Sequence, residues 1–348
     1  MYTLLYARGK GLIMGLSLCF FSILVSLFPF SDVWASCGSG NCFLVTGGQG
    51  ISSPGHMTLD ISYRYIPMDD FQRGSSSTSE ALTPKIDFEN RRIENPHHRE
   101  IRTINELVQV DIGYGVSERF TLQLTLPLMN DRAHEHYDGV TSAATPGTFT
   151  RQDGSSGMGD MRLTGKYAPI VLTRHLFVVG GGVKFPTGEY KLSNSEGSIN
   201  EPTVQPGTGS YDFLFSLFYD YQVIPHKFDI FVSGSYQLNT ENDLNYEFGD
   251  QTLLNFGINY RLESERKTTL STQINYRHTD RDHFDTISGT QGVPATGGDW
   301  VNLTPGIRIQ ASDRLSLYSF LQFPIYQYVN EVNLVPRYGL VLGATYTF

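Results

Sequence analysis

The sequence predicts an all-β protein, a transmembrane antiparallel up-and-down β-barrel of about 12 strands. Three observations lead to this prediction: an N-terminal export signal, an alternation of apolar and polar residues with period two, and connections that alternate between short and long. The composition agrees, because aromatic residues make up 13% of the 348 residues and glycine is plentiful. Such a mixture suits strands joined by tight turns.

The first 35 residues have the pattern of a cleaved secretory signal peptide. Two basic residues precede an apolar run over 12–30, and cleavage is predicted after Ala35. A retained membrane anchor is the alternative, and so is a lipoprotein signal acylated at Cys37. No later segment has eighteen continuous apolar residues, which excludes a helical membrane protein apart from the signal itself.

Residues 36–55 form a predicted periplasmic N-terminal segment that contains the motif CGSGNC. This motif contains Cys37 and Cys42, and an even pair of cysteines in an exported protein predicts a small disulfide loop. A metal or haem site is the alternative. No histidine follows Cys42 and no second cysteine pair exists, so the disulfide is favoured.

Residues 56–348 form the predicted barrel. In MTLDISYRY (57–65) and FTLQLTLPL (120–128), every second residue is apolar and most residues between are polar, which is the period of a strand. The same alternation recurs to the C-terminus. The predicted strands cover 56–66, 103–115, 119–129, 158–168, 176–186, 210–221, 227–238, 251–262, 268–278, 300–310, 315–326 and 337–348.

The predicted connections separate a membrane barrel from most other β architectures. Tight turns such as GVSERF and QASDRL alternate with longer polar connections over 67–101, 130–156, 187–208 and 279–298. Transmembrane barrels have short periplasmic turns and long outer loops. An even number of strands then leaves both ends of the barrel on the periplasmic side.

The apolar face distinguishes a membrane barrel from a soluble sandwich. It has Tyr or Phe near many strand ends, as interfacial girdles require, and almost no charge where the bilayer midplane would lie. Tyr346 and Phe348 close the last strand, and a terminal aromatic residue is typical of the signal that barrel-insertion machinery reads. One residue is a misfit, because Pro305 inside a strand predicts a bulge or local break.

Charged residues on the polar faces are the candidate lumen-lining residues. They either select solutes in a polar pore or pair across strands and hold the barrel closed, and the mixed signs argue against strong ion selectivity. The candidates are Asp60, Arg64, Asp160, Arg162, Lys166, Lys184, Asp212, Asp220, Arg261, Arg277, Arg308 and Arg337.

No cofactor, metal or catalytic residue is predicted. Five histidines, His97, His98, His134, His136 and His283, fall in predicted outer loops, where solvated side chains are commoner than metal ligands. A lipid-modifying barrel enzyme would need a Ser nucleophile beside a His. The HxSNG pattern of outer-membrane phospholipases is absent, and the LSNSEG segment has no preceding His.

Several stretches resemble the outer-membrane transporters of the phenol meta-cleavage degradation pathway, a family loosely related to hydrophobic-compound and fatty-acid channels. The stretches are GSGNCFLVTG, GMGDMRLTGKYAP, VKFPTGEY, QPGTGSYDFLFSLFY and YGLVLGATYTF. The resemblance covers 37–348 and is strongest at 184–188 and 206–210, where turn geometry also explains the Gly and Pro content. It implies passive passage of small, including aromatic or hydrophobic, molecules without assigning a solute.

The sequence therefore favours a channel in the bacterial outer membrane. Its expected partners are outer-membrane lipid, the barrel-insertion machinery and a small-molecule solute, whereas a net charge of −9 gives no support to nucleic-acid binding. The alternatives are a barrel that acts through its outer loops or N-terminal segment, and the lipid-modifying enzyme.

Overall fold

The computed structural model describes residues 50–262 and 267–348, and within them regular structure is almost entirely β. The signal peptide, Cys37 and Cys42 lie outside the described residues. No helix in this described part is long and apolar enough to cross a bilayer. One 3-10 turn covers Pro202–Val204. The strands are β1 (Met57–Gly74), β2 (Ser76–Ser77), β3 (Leu82–Asp87), β4 (Arg92–Ser117), β5 (Phe120–Asp138), β6 (Thr148–Thr150), β7 (Met161–Val171), β8 (His175–Phe185), β9 (Asp212–Ile224), β10 (Phe228–Leu238), β11 (Tyr246–Glu247), β12 (Gln251–Arg261), β13 (Thr269–Thr279), β14 (His283–Thr286), β15 (Gly289–Gly292), β16 (Gly298–Gln310), β17 (Leu315–Pro336) and β18 (Gly339–Thr347).

Twelve of these strands form one closed antiparallel barrel, in the order β1-β18-β17-β16-β13-β12-β10-β9-β8-β7-β5-β4. Closure comes from β1, which pairs with β18 from Thr58 opposite Thr347 onward and with β4 from Met57 opposite Tyr114 onward. Each barrel strand thus has a partner on both sides, as lipid requires of a sheet. The predicted architecture and all twelve predicted strands are confirmed.

The barrel is apolar outside and polar inside. Leu217 on β9 and Phe256 on β12 point outward and are 54% and 53% exposed. Arg64, Asn275 and Thr304 are buried in the interior. Outward tyrosines stand near the strand ends, including Tyr114, Tyr167, Tyr260 and Tyr338. A soluble protein has the opposite arrangement, with apolar residues inside and polar residues outside. The exterior is therefore the lipid-facing surface of a bacterial outer-membrane barrel.

The two ends of the barrel differ in their connections. At the short-turn end, at most seven residues join successive strands, as at 118–119, 172–174, 225–227, 262–268 and 311–314. At the opposite, long-loop end, four strands extend far past the 9–11 residues that cross a bilayer. These are β1 with 18 residues, β4 with 26, β5 with 19 and β17 with 22.

The extended strands correct part of the sequence prediction. Residues 92–101, predicted as loop, belong to β4, and residues 327–336, predicted as a connection, belong to β17. The extension of β17 pairs with that of β1, from Met68 opposite Pro336 to Gly74 opposite Val329. Pairing of backbone groups keeps these segments regular above the bilayer although their polarity pattern is mixed.

A small folded cap lies at the long-loop end. Strands β11, β14 and β15 form a separate three-stranded sheet. Its buried centre consists of Ile86 from the β3 region, Tyr246, Phe284 and Val293, with Phe88 packed against them. Asp282 joins this sheet, because its carboxylate accepts hydrogen bonds from Tyr246 Oη at 2.6 Å and Gly249 N at 2.8 Å. The outer connections that form this cap are therefore packed around an apolar centre of their own.

Pro305 interrupts the barrel wall on one side only. It stays within β16 and lies opposite Thr272 of β13, but the β16–β17 ladder passes from Leu303 to Gly306 without it. The predicted local break is thus present toward β17. The bulge of this strand pair is elsewhere, between Val301 and Asn302.

Candidate channel interior

The middle of the barrel contains a cavity of about 160 Å³ whose wall combines charged, polar and apolar groups. Its wall has three cations, Arg64, Arg162 and Lys166, and two carboxylates, Asp60 and Asp111. Alternate residues of β1, β4, β5 and β7 face inward here because the side-chain period of a strand is two. Uncharged lining residues include Gln109, Gln123, Thr125, Thr164, Leu214, Ser235 and Leu253.

Asp111 is held by three amide and hydroxyl donors inside this cavity. Its Oδ2 accepts from Gln109 Nε2 at 2.6 Å, and its Oδ1 accepts from Gln123 Nε2 at 2.9 Å. Thr125 Oγ1 also donates to Oδ1. A carboxylate with several donors is fixed in orientation, which gives the cavity wall a defined shape.

A buried ionic network lies between the cavity and the long-loop end. Lys184 Nζ is 3.1 Å from Asp160 Oδ2 and 2.5 Å from Asp212 Oδ2, and all three side chains are at most 5% exposed. Lys184 Nζ also donates to Thr208 Oγ1. Burial of such a group is compatible with folding only when its charge is paired, and here two carboxylates surround one ammonium.

The same network joins the motifs that carry the family resemblance. Asp160, from GMGD, accepts hydrogen bonds from Gly188 N and Thr208 N, both at 2.9 Å. Gly207 packs so closely on Gly188 that an added Cβ would lie 2.6 Å from the Gly188 backbone. The Gly content of both motifs therefore serves a close backbone contact as well as turns.

Near the short-turn end, Asp60 and Arg308 belong to a second interior network. Asp60 accepts hydrogen bonds from Tyr318 Oη at 2.6 Å and Thr345 Oγ1 at 2.5 Å. Arg308 donates to Thr345 Oγ1 at 3.2 Å and stacks over the Tyr318 ring, with 4.6 Å from Cζ to the centroid. The Tyr318 ring packs with Phe320 and Val341, so apolar side chains narrow this level of the interior.

Two further candidates, Asp220 and Arg261, lie along β9 and β12 at the same end. Arg261 Nη2 is 3.1 Å from Asp229 Oδ2, and Asp229 Oδ1 accepts from Asn259 Nδ2 at 2.6 Å. Asp220 faces Phe231 in the register of β9 and β10. Arg261 is 41% exposed at its side chain, so it stands at the rim.

The remaining two candidates occupy different environments. Arg277 is buried and stacks on Trp300, with 4.1 Å between Cζ and the ring centroid. Arg337 is not part of the interior set, because its side chain is 58% exposed and pairs with Asp69 and Asp70 of β1. Arg337 follows β17, where the chain leaves the extended ribbon, so strand alternation does not apply to it.

Residues before β1 cross the short-turn mouth. Ser52 N donates to Thr121 Oγ1 at 2.8 Å, and Pro54 forms a bridge with Gly115 of β4. The fit is close, since a Cβ on Gly115 would lie 2.1 Å from Ser53 O. The segment 52–54 therefore lies against the inner wall of β4 and narrows the mouth.

The terminal aromatic residues lie on the exterior at this end. The Tyr346 and Phe348 rings pack at 4.7 Å between centroids, and Phe348 N donates to Met57 O at 2.8 Å. Phe348 is 52% exposed to the surroundings of the barrel. Their role as an insertion signal stays a prediction.

The histidine positions differ most from the sequence prediction. Four of the five predicted loop histidines lie on the extended strands: His97 and His98 on β4, His134 and His136 on β5. The last three of these are buried, so the expectation of solvated side chains is wrong for them. Only His283 is exposed, at the start of β14.

Carboxylates surround these imidazoles. Glu100 lies 3.6 Å from His134 and Asp153 lies 3.4 Å from His136. Burial, with the nearby His98 and His134, lowers the pKa of His136 to about 4. Burial raises the pKa of Glu201, beside His98, to about 7. The alternation of His134, His136 and Asp138 on one strand face was the signal that could have located this cluster.

The comparisons with known proteins agree with this architecture. The family described as "Putative MetA-pathway of phenol degradation" matches residues 102–330. Among solved structures, the chain is similar to an outer membrane channel from Pseudomonas putida F1, with 13% identity and a TM-score of 0.60 over 88% of this chain and 100% of that one. A similarity to a FadL homologue from Pseudomonas aeruginosa has 10% identity and a TM-score of 0.41 over 91% and 98% of the two chains. The first similarity shows a shared barrel fold, and no curated protein matches the chain significantly.

Proposed function

Because the chain belongs to the family described as the MetA pathway of phenol degradation, we propose that it is a passive outer-membrane channel for small aromatic molecules. One observation carries the proposal: a closed barrel with a lipid-facing exterior contains a cavity lined by charged, polar and apolar groups.

The size of the cavity supports a solute of one aromatic ring. Its volume is about 160 Å³. An engineered protein cavity of about 150 Å³ is enough to bind benzene. Larger solutes would require displacement of interior side chains or of the segment 52–54.

The chemistry of the wall supports a polar or anionic ring. Arg64, Arg162 and Lys166 outnumber Asp60 and Asp111 in the cavity. Guanidinium groups attract aromatic faces and bind carboxylates or phenolates through their N–H groups. Leu214 and Leu253 add apolar contact surface. A phenol-like molecule combines both features.

The experiment measures solute flux through purified protein in liposomes. Ser235→Trp places a large ring inside the cavity, and we expect it to reduce the rate of phenol entry at least several-fold. Val232→Trp on the same strand is the matched control, because Val232 points outward and is 47% exposed. A shift of the folded band on heating confirms that both variants form barrels.

Two outcomes would contradict the proposal. Phenol flux equal to that of empty liposomes, with folded protein incorporated, would remove the transport role. Equal reduction in both tryptophan variants would place the flux outside this cavity. The first outcome would favour the alternative of an interaction barrel that acts through its folded cap.

No chemical step is part of this proposal. The LSNSEG segment supports a structural role for its polar residues, because Asn194 Oδ1 accepts hydrogen bonds from Glu196 N at 3.0 Å and Ser198 N at 3.1 Å. Such a side-chain-stabilised turn is common in loops. A phospholipid hydrolysis assay on the folded protein tests for enzymatic activity directly. Turnover above the detergent blank would support the alternative of a lipid-modifying enzyme.

A further inference from the structure

A cluster of four imidazoles lies at the long-loop end, separate from the cavity. Ring centroids are 4.9 Å apart for His97 and His98, 4.3 Å for His98 and His136, and 4.7 Å for His134 and His136. The rings stand on the parts of β4 and β5 that extend past the bilayer. Four imidazoles in a chain of ring contacts are costly in a folded protein if neighbouring rings are both protonated, because like charges at this distance repel.

Three of the potential ligand atoms converge on one point. Asp138 Oδ1 lies 2.9 Å from His97 Nδ1 and 3.1 Å from His98 Nε2. The ligand atoms of these three residues all lie within 4.8 Å of one another. In a tetrahedral zinc site with Zn–N bonds of about 2.0–2.1 Å, neighbouring ligand atoms are roughly 3.3 Å apart. The two distances to Asp138 are already close to this spacing, and binding of an ion would adjust the separation of the two imidazole nitrogens.

The surrounding groups have the arrangement expected around metal-bound histidines. A ligating His usually donates its other ring N–H to a carboxylate, which fixes the ring and its tautomer. Here Glu94 Oε2 lies 3.3 Å from His97 Nε2, on the far side of the ring from Asp138. Glu94 thus holds His97 with Nδ1 directed at the common point.

His136 provides the second, independent observation. Its side chain is buried, and neither ring nitrogen makes a hydrogen bond among the described residues, although Nε2 lies 3.4 Å from Asp153 Oδ2. A buried polar group without a hydrogen bond is destabilising and calls for a partner. The ring contacts that of His98, which is one of the three converging ligands.

We propose that His97, His98 and Asp138 bind a divalent metal ion of the imidazole-preferring kind, next to the buried ring of His136. Neutral imidazoles with one carboxylate suit zinc, nickel and copper, whereas magnesium and calcium prefer sites made of oxygen. The ion would neutralise Asp138 and give His97 and His98 a common partner. It would join β4 to β5 above the bilayer.

The test is direct titration of the full-length, detergent-solubilised protein with zinc chloride after chelator treatment. Isothermal titration is expected to give one site per chain with micromolar or tighter affinity. His98→Ala and Asp138→Asn are each expected to weaken binding at least about 100-fold. Glu94→Gln keeps the ligands and is expected to weaken it 10–100-fold, as loss of an orienting carboxylate does.

Two measurements keep the test decisive. His283→Ala removes an exposed histidine outside the cluster and must leave the affinity unchanged. Heat-induced band shifts establish that each variant is a folded barrel, and His97→Gln is a milder substitution if His98→Ala fails to fold. Two results would overturn the proposal. One is the absence of stoichiometric binding at a zinc concentration on the order of 100 micromolar. The other is an equal zinc affinity in wild type and in the folded ligand variants.

Discussion

Lys184 Nζ and Asp212 Oδ2 lie 2.5 Å apart with side chains 2% and 0% exposed, which makes them the most deeply buried ion pair of the described interior. Asp160 completes the group from the other side, at 3.1 Å. The pair joins β8 to β9 at the start of the motif 184–188 and just after the motif 206–210. It therefore connects the wall of the barrel to two of its outer loops.

Lys184→Met is expected to destabilise the barrel by about 3–5 kcal/mol, because it leaves two buried carboxylates without their cation. The measurement is the free energy of unfolding in denaturant, in lipid or detergent. Lys191→Met is the control, since Lys191 pairs with Asp243 in an exposed site, at 45% and 59% exposure. Exposed pairs contribute about 0–1 kcal/mol, and an equal loss in both variants would refute the assigned role.

The lipid-facing surface gives a second prediction. Leu217→Arg places a charge on the exterior near the middle of β9, and we expect a loss of about 2–4 kcal/mol in unfolding free energy in bilayers. Ile287→Arg, in a loop residue that is 79% exposed to water, is the matched control. Its expected effect is within about 0.5 kcal/mol. A tolerated arginine at 217 would mean that this face does not contact lipid.

The cap is expected to loosen as the pH rises. Burial raises the pKa of Asp282 from its ordinary 3.8 to about 6, against the hydrogen bonds from Tyr246 and Gly249. A group whose pKa is raised in the folded state stabilises the fold fully when the pH is below its ordinary pKa. This stabilisation is lost as the pH rises through about 6. A shift of about two units corresponds to roughly 3 kcal/mol at most.

Hydrogen exchange of the cap amides in wild type and Asp282→Asn measures this effect at matched pH. The protection of wild type relative to the variant should increase as the pH falls from 7.5 to 4.5, because only wild type gains the proton. Comparison at each pH cancels the intrinsic pH dependence of exchange. Parallel profiles for the two proteins would show that Asp282 does not titrate in this range.

Gly115→Val is expected to displace the segment 52–54 from the short-turn mouth and increase flux through the barrel. The reason is steric, since a Cβ at this position would meet Ser53 O at 2.1 Å and Ser52 O at 2.7 Å. Planar-bilayer conductance provides the measurement. Gly181→Val is the control, because a Cβ there finds its nearest neighbour, Leu214 O, at 3.9 Å. Unchanged conductance with increased susceptibility of 50–56 to protease would show that the segment does not limit passage.

Period-two alternation was sufficient to locate the barrel strands, because lipid outside and polar groups inside impose opposite chemistry on alternate residues. It failed above the bilayer. The segment RIENPHHREIR at the start of β4 is polar on both faces, so nothing in its pattern separates it from a loop. The end of β17 was missed for the same reason, since 327–336 pairs with β1 by backbone hydrogen bonds rather than by a patterned face.

The sequence predicted which charged residues belong to the polar faces as a group, but it did not predict which of them contact each other. Parity along a strand placed Lys184 and Asp212 on polar faces, but their pairing depends on the register of β8 with β9, which alternation does not encode. The assignment of Arg337 to the interior failed for a different reason. It was assigned by parity at a position where the chain has left the regular barrel wall.

The pairing of the first and last barrel strands determines how this protein can be assembled. Thr58 and Thr347 lie opposite each other, so the cylinder is completed only when β18 reaches β1. Closure must therefore follow synthesis and export of all the strands from β1 to β18, a long-range step that makes folding slow. The adjacency also makes the fold a candidate for circular permutation, with β18 tethered to β1 and new ends opened between β10 and β12.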